Sequence, residues 1–219
     1  MTYSSRFELE LRMIFTEPIA KYLADIVPDR PPVMQEMEAY AREKNFPIVG
    51  PQVGRLLYQL VQVSGARKIV ELGSGFGYSA YWFGLAAGPE GSIVLTDGDP
   101  DNKRRALDYL QRAGLSSRFD FRVGDALASI RDLKGPVDIV YNDIDKEGYP
   151  DAIDPAADLL RPGGLFVTDN LLWSARVCDQ DPGPTTRAIL DFTRRLYDDS
   201  RFFTTLVPIR DGLAVAVRQ

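Results

Sequence analysis

The chain has 219 residues, 45% of them apolar and 26% charged, enough for a sizeable core in a single α/β domain. Its 26 basic and 31 acidic residues leave a net charge of −5, which disfavours a phosphate backbone, so nucleic acid is not an expected partner. There is no histidine and one cysteine, Cys178, so any general base must be Lys, Asp, Glu or Tyr, any metal has oxygen ligands, and a reducing cytoplasm is the simplest compartment.

No basic segment followed by an apolar core opens the sequence, and no window approaches the ~18 apolar residues of a membrane span; neither a signal peptide nor a membrane partner is expected. Residues 5–27 read as a helix, with Leu9, Leu11, Ile14, Ile19 and Leu23 roughly at helical spacing. Asp29-Arg30-Pro31-Pro32 breaks it, and one of the prolines opens a second helix to Lys44. Asn45 to Pro51 reads as a loop, and a third helix is expected from Gln52 to Val63, with Leu56, Leu57, Leu60 and Val61 inward. These elements are expected to form a helical cap (1–64) on an α/β core (65–219) of one domain.

From Lys68 onward strands and helices alternate. Strands are expected at Lys68–Leu72, Ser92–Thr96, Phe119–Val123, Val137–Tyr141 and Leu165–Thr168, with helices beginning near Gly77, Pro100, Ala126 and Tyr149. That order predicts βαβ units and a doubly wound, Rossmann-like parallel sheet. A helix over Pro184–Asp198 precedes Phe202–Ile209, the turn Asp211-Gly212 and Leu213–Val217. This last pair reads as a hairpin, giving seven strands with the last antiparallel.

The first strand ends in Glu71-Leu72-Gly73-Ser74-Gly75-Phe76-Gly77-Tyr78-Ser79. Strand, glycine turn and helix N-terminus bring backbone N–H groups near a nucleotide-like ligand. The Gly-x-Gly-x-Gly spacing differs from the dinucleotide fingerprint Gly-x-Gly-x-x-Gly, and Glu71 suits hydroxyls or an ammonium group. Both tilt the reading from NAD toward S-adenosylmethionine.

Ligands of an open parallel sheet gather beyond the strands' C-terminal ends, and all five ends carry an acid or amide: Glu71, Asp97, Asp125, Asn142-Asp143 and Asp169-Asn170. Asp97 suits a ribose diol, whereas Asp99 is better placed to cap the helix after Pro100. Asp125 either accepts from an adenine amino group or caps the helix at Ala126. Asp143, Asp169 and Asn170 offer three oxygen-bearing side chains to a hard divalent cation; a polar turn is the plainer reading of Asp169-Asn170. Lys146, three residues after Asp143, reads as a general base or as a surface lysine, and Trp173 as a wall for a planar substrate or a core aromatic.

Together these residues resemble the metal-dependent catechol and caffeoyl-coenzyme A type O-methyltransferases, over Ile48 to the C-terminus. The family's Glu-[Leu/Ile]-Gly-x-x-x-Gly-Tyr-Ser motif is similar to Glu71–Ser79, and Asp-x-Asp-Lys-x-x-Tyr to Asp143–Tyr149. Asp-Asn-x-Leu-Trp is similar to Asp169–Trp173, Pro-x-x-Asp-Gly-Leu to Pro208–Leu213, and Val49–Gly54 to the loop over the cofactor's methionine end. The resemblance implies a methyltransferase that binds S-adenosylmethionine through Val49, Gly50, Glu71, Gly73, Gly75, Phe76, Gly77, Ser79, Asp97, Gly98, Asp125, Ala126 and Asp143. It implies Mg²⁺ on Asp143, Asp169 and Asn170, Lys146 as catalytic base beside Asp143, and a small hydroxylated aromatic substrate against Lys146 and Trp173. A cytoplasmic homodimer is the expected form. Asn142 stands where the family has an apolar residue, a polar group expected beside the metal, and 175–184 matches nothing in the family. The rivals are a tRNA hydroxyuridine O-methyltransferase with Arg104, Arg105, Arg112 and Arg118 as its RNA patch, an NAD-dependent oxidoreductase, and a cofactor-binding protein without catalysis.

Overall fold

The computed structural model describes residues 16–115 and 118–219. Of the helix expected over 5–27, Glu17–Asp25 (α1) is seen; Leu9, Leu11 and Ile14 lie outside the described residues. No residue of α1 is buried. Helix α2, Pro32–Lys44, begins on proline and ends where Asn45 turns left-handed. Helix α3 spans Gly50–Ser64, starting two residues before the expected Gln52 because Gly50 and Pro51 already form its first turn.

The sheet strands are β1 (Lys68–Leu72), β2 (Ser92–Asp97), β3 (Phe119–Val123), β4 (Val137–Asn142), β5 (Leu160–Thr168), β6 (Phe202–Val207) and β7 (Leu213–Arg218). Between them run α4 (Tyr78–Ala87), α5 (Pro100–Arg112), the four-residue α6 (Ala126–Ser129), α7 (Tyr149–Leu159) and α8 (Pro184–Asp198). Spatial order is β3-β2-β1-β4-β5-β7-β6. Strands β1 to β5 pair in parallel, and β7 lies antiparallel between β5 and β6, as the Asp-Gly turn led one to expect. Strand β5 begins at Leu160 rather than Leu165. Its Pro162-Gly163-Gly164 reads locally as a turn, but here the chain passes through it with a register shift against β4.

Alternating residues of the central strands enter two cores. Ile69, Leu95, Ile139, Tyr141 and Val167 pack with Met34 and Met37 of α2, Val53 and Leu57 of α3, and Phe83 of α4. Val70, Leu72, Val140 and Phe166 pack with Tyr149 and Ile153 of α7 and Phe192 of α8. Burial on both faces explains why these strands are nearly continuous apolar runs. Strand order reverses between β1 and β4, so the crevice for a ligand opens there, above their C-terminal ends. Among the described residues no helix is long and apolar enough to cross a membrane.

Candidate active site

A cavity of about 930 Å³ opens along the C-terminal ends of the strands, lined from Asp97 and Gly124–Leu127 past Gly73–Phe76 to Asp143–Gly148, Asp169, Asn170 and Trp173. It therefore crosses five neighbouring strands, a span of about 19 Å at the usual strand spacing. Of the cofactor, metal and substrate residues expected from the sequence, all line it except Gly50, Glu71 and Gly77; Asp99 and Asn142 lie outside the lining as well.

Gly73, Gly75 and Gly77 all have positive φ (81°, 49° and 87°), the left-handed conformation that a β-carbon disfavours. At Gly73 a β-carbon would stand 2.4 Å from the Asp143 carbonyl oxygen, so the glycine lets the β1 turn touch the end of β4. Four of the turn's N–H groups already bond within the protein. Gly73 and Ser74 donate to the Thr96 carbonyl (3.1 and 2.8 Å), Gly75 to Asp97 Oδ2 (2.9 Å) and Gly77 to the Ser74 carbonyl (2.9 Å). Gly77 faces Ala106 of α5 instead, where a β-carbon would stand 2.9 Å from that of Ala106.

Asp97 thus supports the turn. Its Oδ1 also accepts from the Asp99 N–H (2.9 Å) and Asn102 Nδ2 (3.0 Å), while its side chain still borders the cavity. Asp99 caps α5 by accepting from the Asp101 N–H at 2.8 Å. Asp125 borders the cavity and also caps α6 through the Ala128 N–H at 2.7 Å. Glu71 is fully buried beneath the turn; Ser79 Oγ donates to its Oε1, and Oε2 has no partner. Burial, reinforced by Asp143 and Asp97, pushes its carboxyl up to about 8.

At the ends of β4 and β5 the polar groups are poorly satisfied. Asp169 is 3% exposed and its Oδ1 has no hydrogen-bond partner. Burial and then the neighbouring Asp143 hold its carboxyl well above the usual carboxylate range. Burial raises Asp143 too, against the opposing charge of Lys146, whose Nζ donates to Asp143 Oδ1 at 2.7 Å and to the Ile144 carbonyl at 3.2 Å. Lys146 is no free surface lysine: it lies 4.9 Å from the Tyr149 ring centroid and 5.9 Å from that of Trp173. Trp173 borders the cavity on one side and packs on the α7–α8 core on the other.

Asn142 departs from expectation. It sits in register between Leu72 and Thr168, on the sheet face covered by α7 and α8, fully buried and outside the cavity lining. Its amide and the Thr168 hydroxyl both lack partners. Sequence reasoning missed three participants. Tyr149 donates its hydroxyl to the Asp169 carbonyl at 2.9 Å, Asp211 accepts from the Ser174 N–H at 2.5 Å, and Arg210 reaches the carbonyls of Ile48 (3.1 Å) and Val49. For Tyr149 and Asp211 a signal existed, their places in the Asp-x-Asp-Lys-x-x-Tyr and Pro-x-x-Asp-Gly-Leu segments; Arg210 falls on an unspecified position of the second.

A doubly wound sheet with a glycine turn at its switch point, an acid after β2 and a mixed acid, amide and lysine cluster after β4 and β5 defines a group-transfer enzyme of the nucleoside-cofactor class. The O-methyltransferase family model matches residues 25–219, and the chain belongs to that family of S-adenosylmethionine-dependent enzymes. It is 28% identical to "Caffeoyl-CoA O-methyltransferase 2" of Zea mays, over 94% of this chain and 84% of that one. It is likewise 28% identical to the "Catechol O-methyltransferase" of Niastella koreensis, over 92% and 96%. The crystal structure of the O-methyltransferase from Bacillus cereus in complex with SAH superposes with a TM-score of 0.81 at 27% identity, covering 91% of this chain and 96% of that one.

Proposed function

We propose that this enzyme methylates a hydroxyl of a catechol-like small molecule, with S-adenosylmethionine as donor, a divalent cation (Mg²⁺ first) held by Asp143, Asp169 and Asn170, and Lys146 as general base. The observation that carries the cation is the unpartnered Oδ1 of Asp169, buried beside a second carboxylate. Neighbouring carboxylates, one buried and one partly buried, repel, and an oxygen without a donor is costly, so the pair fits a hard cation. Among the described residues no three His, Cys, Asp or Glu converge as metal ligands; the proposed set is two carboxylates and an amide, all oxygen donors. When bound, such a cation supplies Lewis acidity that lowers the pKa of a phenolic hydroxyl.

The donor end is supported by Val49, Ser79, Asp97, Gly98, Asp125 and Ala126, all of which line the cavity. Donor binding and the acid after β2 give NAD no advantage, and a hydride-transfer enzyme has no use for the Asp143–Asp169–Lys146 group. On the acceptor side Trp173 flanks a planar ring and Lys146 takes the proton of the attacking hydroxyl, with positioning contributing much of the rate. The proposed RNA patch is weakly supported: Arg104 pairs with Asp101, Arg112 with Glu36 and Asp108, and Arg105 lies 4.6 Å from the Tyr40 ring centroid. A cytoplasmic homodimer remains part of this proposal. The test is a methyl-transfer assay over a panel of catechols, with Mg²⁺ and with EDTA. Turnover that depends on Mg²⁺ is expected, and full activity in excess EDTA would remove the cation.

A further inference from the structure

One short turn touches both halves of the cavity. Between β6 and β7 the chain reverses at Ile209–Gly212, closed by the Gly212 N–H on the Ile209 carbonyl at 2.9 Å. Arg210 within it has a φ of 48°, an uncommon conformation for a residue with a β-carbon. Its guanidinium donates to the carbonyls of Ile48 and Val49, two residues of the loop that borders the donor end of the cavity. Gly50 follows, where a β-carbon would collide with that guanidinium.

The next residue, Asp211, serves the other side. Its carbonyl accepts from the Leu172 N–H (2.7 Å), its Oδ1 from the Ser174 N–H (2.5 Å), and the Gly212 carbonyl accepts from the Leu171 N–H (3.0 Å). Trp173, Ser174 and Ala175 are three consecutive non-glycine residues at positive φ (46°, 53° and 64°), a conformation that persists only where its surroundings impose it. The bond to Ser174 lies in the middle of that segment. Asp211 Oδ2 also faces Asn170 Nδ2 at 3.5 Å. A carboxylate only accepts, so it selects the amide NH₂ of Asn170 and not its oxygen.

We infer that Arg210 and Asp211 form a clasp of two positioning residues: Arg210 holds the donor-side loop Ile48–Gly50, and Asp211 holds the Trp173 wall and the orientation of Asn170. The assignment of the two sides as donor and acceptor rests on the function proposed above; the clasp itself rests on the contacts.

Arg210→Gly and Asp211→Ala separate the two arms. Glycine accepts the φ of position 210 without strain, so loss of the guanidinium is not confounded with a broken turn. Calorimetry with S-adenosylhomocysteine should show affinity weakened by about tenfold in Arg210→Gly, the worth of one or two hydrogen bonds, and hardly changed in Asp211→Ala. In ligand-free protein, acrylamide should quench Trp173 fluorescence more in Asp211→Ala than in wild type or Arg210→Gly; Trp82, 6% exposed, contributes a constant background. With catechol as acceptor, Asp211→Ala should raise KM and lower kcat. Asp211→Asn keeps an acceptor for Ser174 but no longer forces the Asn170 amide, so it should restore KM and leave kcat low. Unchanged quenching in Asp211→Ala, unchanged affinity in Arg210→Gly, or equal losses of donor and acceptor binding in both variants would overturn the clasp. Wild-type protein that binds no S-adenosylhomocysteine would overturn the proposed function instead, and the quenching result would then judge the clasp alone.

Discussion

The halves of the cavity over β1–β3 and over β4–β5 differ in how their polar groups are satisfied. On the first, Asp97, Asp99 and Asp125 each accept from backbone N–H groups, and the glycine turn bonds to Thr96 and Asp97. On the second, Asp169 keeps an oxygen without a partner beside Asp143, the Tyr141 hydroxyl has none, and three residues in a row take left-handed angles. Apart from the unpartnered Oε2 of Glu71 beneath the turn, the polar groups of the first half are satisfied without a ligand. Under the proposed function, a bound cation and acceptor would relieve the charge and strain of the second, the pattern expected where chemistry rather than binding is done.

The largest expected effect is on the second half. Asp169→Ala should abolish methyl transfer while S-adenosylmethionine binding, measured by calorimetry, stays close to wild type. A variant that lost both together would erase the distinction between the halves.

Lys146→Met should lower kcat by about 10²–10⁴-fold, the range of a positioned acid–base group, with the defect shrinking at high pH. Lys146→Arg should not rescue, since guanidinium stays protonated at working pH. The ion pair with Asp143 gives the opposing outcome a physical basis. If Lys146 only balances Asp143, arginine restores turnover and the pH profile of the Met variant runs parallel to wild type.

On the first half, Asp97→Ala should weaken S-adenosylmethionine binding by about 1.5–3 kcal/mol, the worth of hydrogen bonds to a charged group. Because Asp97 also holds the Gly75 N–H, Asp97→Asn, which keeps one acceptor oxygen there, should lose less. Equal losses in the two variants would mean that the charge, and not the turn, decides.

A separate effect concerns stability. The Glu71 carboxyl titrates at about 8 in the folded chain against an ordinary 4.5, so the folded protein keeps a proton that the unfolded chain releases. The stability it contributes is full below 4.5 and is lost as pH rises through about 8. Urea denaturation of ligand-free protein should show this decline, and Glu71→Gln should flatten it. Parallel stability profiles for the two proteins would show that Glu71 is ionised in the fold.

Much of this was legible in the chain. Five strands at βα spacing announced the sheet, and an acid or amide at each mouth announced the crevice, because strand ends and ligand sites coincide in parallel sheets. Pro31-Pro32, Asp99 and the Asp-Gly turn carried local signals that neighbours three or four residues away were enough to realise. The fifth strand was expected only from Leu165, whereas it begins at Leu160 and runs through Pro162-Gly163-Gly164.

By itself the sequence determined the order of elements, the oxygen-only chemistry of a chain without histidine, and which strand ends carry acid, since these depend on periodicity, composition and local turn preferences. Only the tertiary structure decided which of those groups are already satisfied. Glu71 lies under the turn rather than in the cavity, Asn142 faces α7 and α8, and Arg210 bonds to Ile48 across 162 residues of sequence. The reason is physical: a hydrogen bond or a desolvated carboxylate is a property of what packs around a group, and that packing is set by segments distant along the chain.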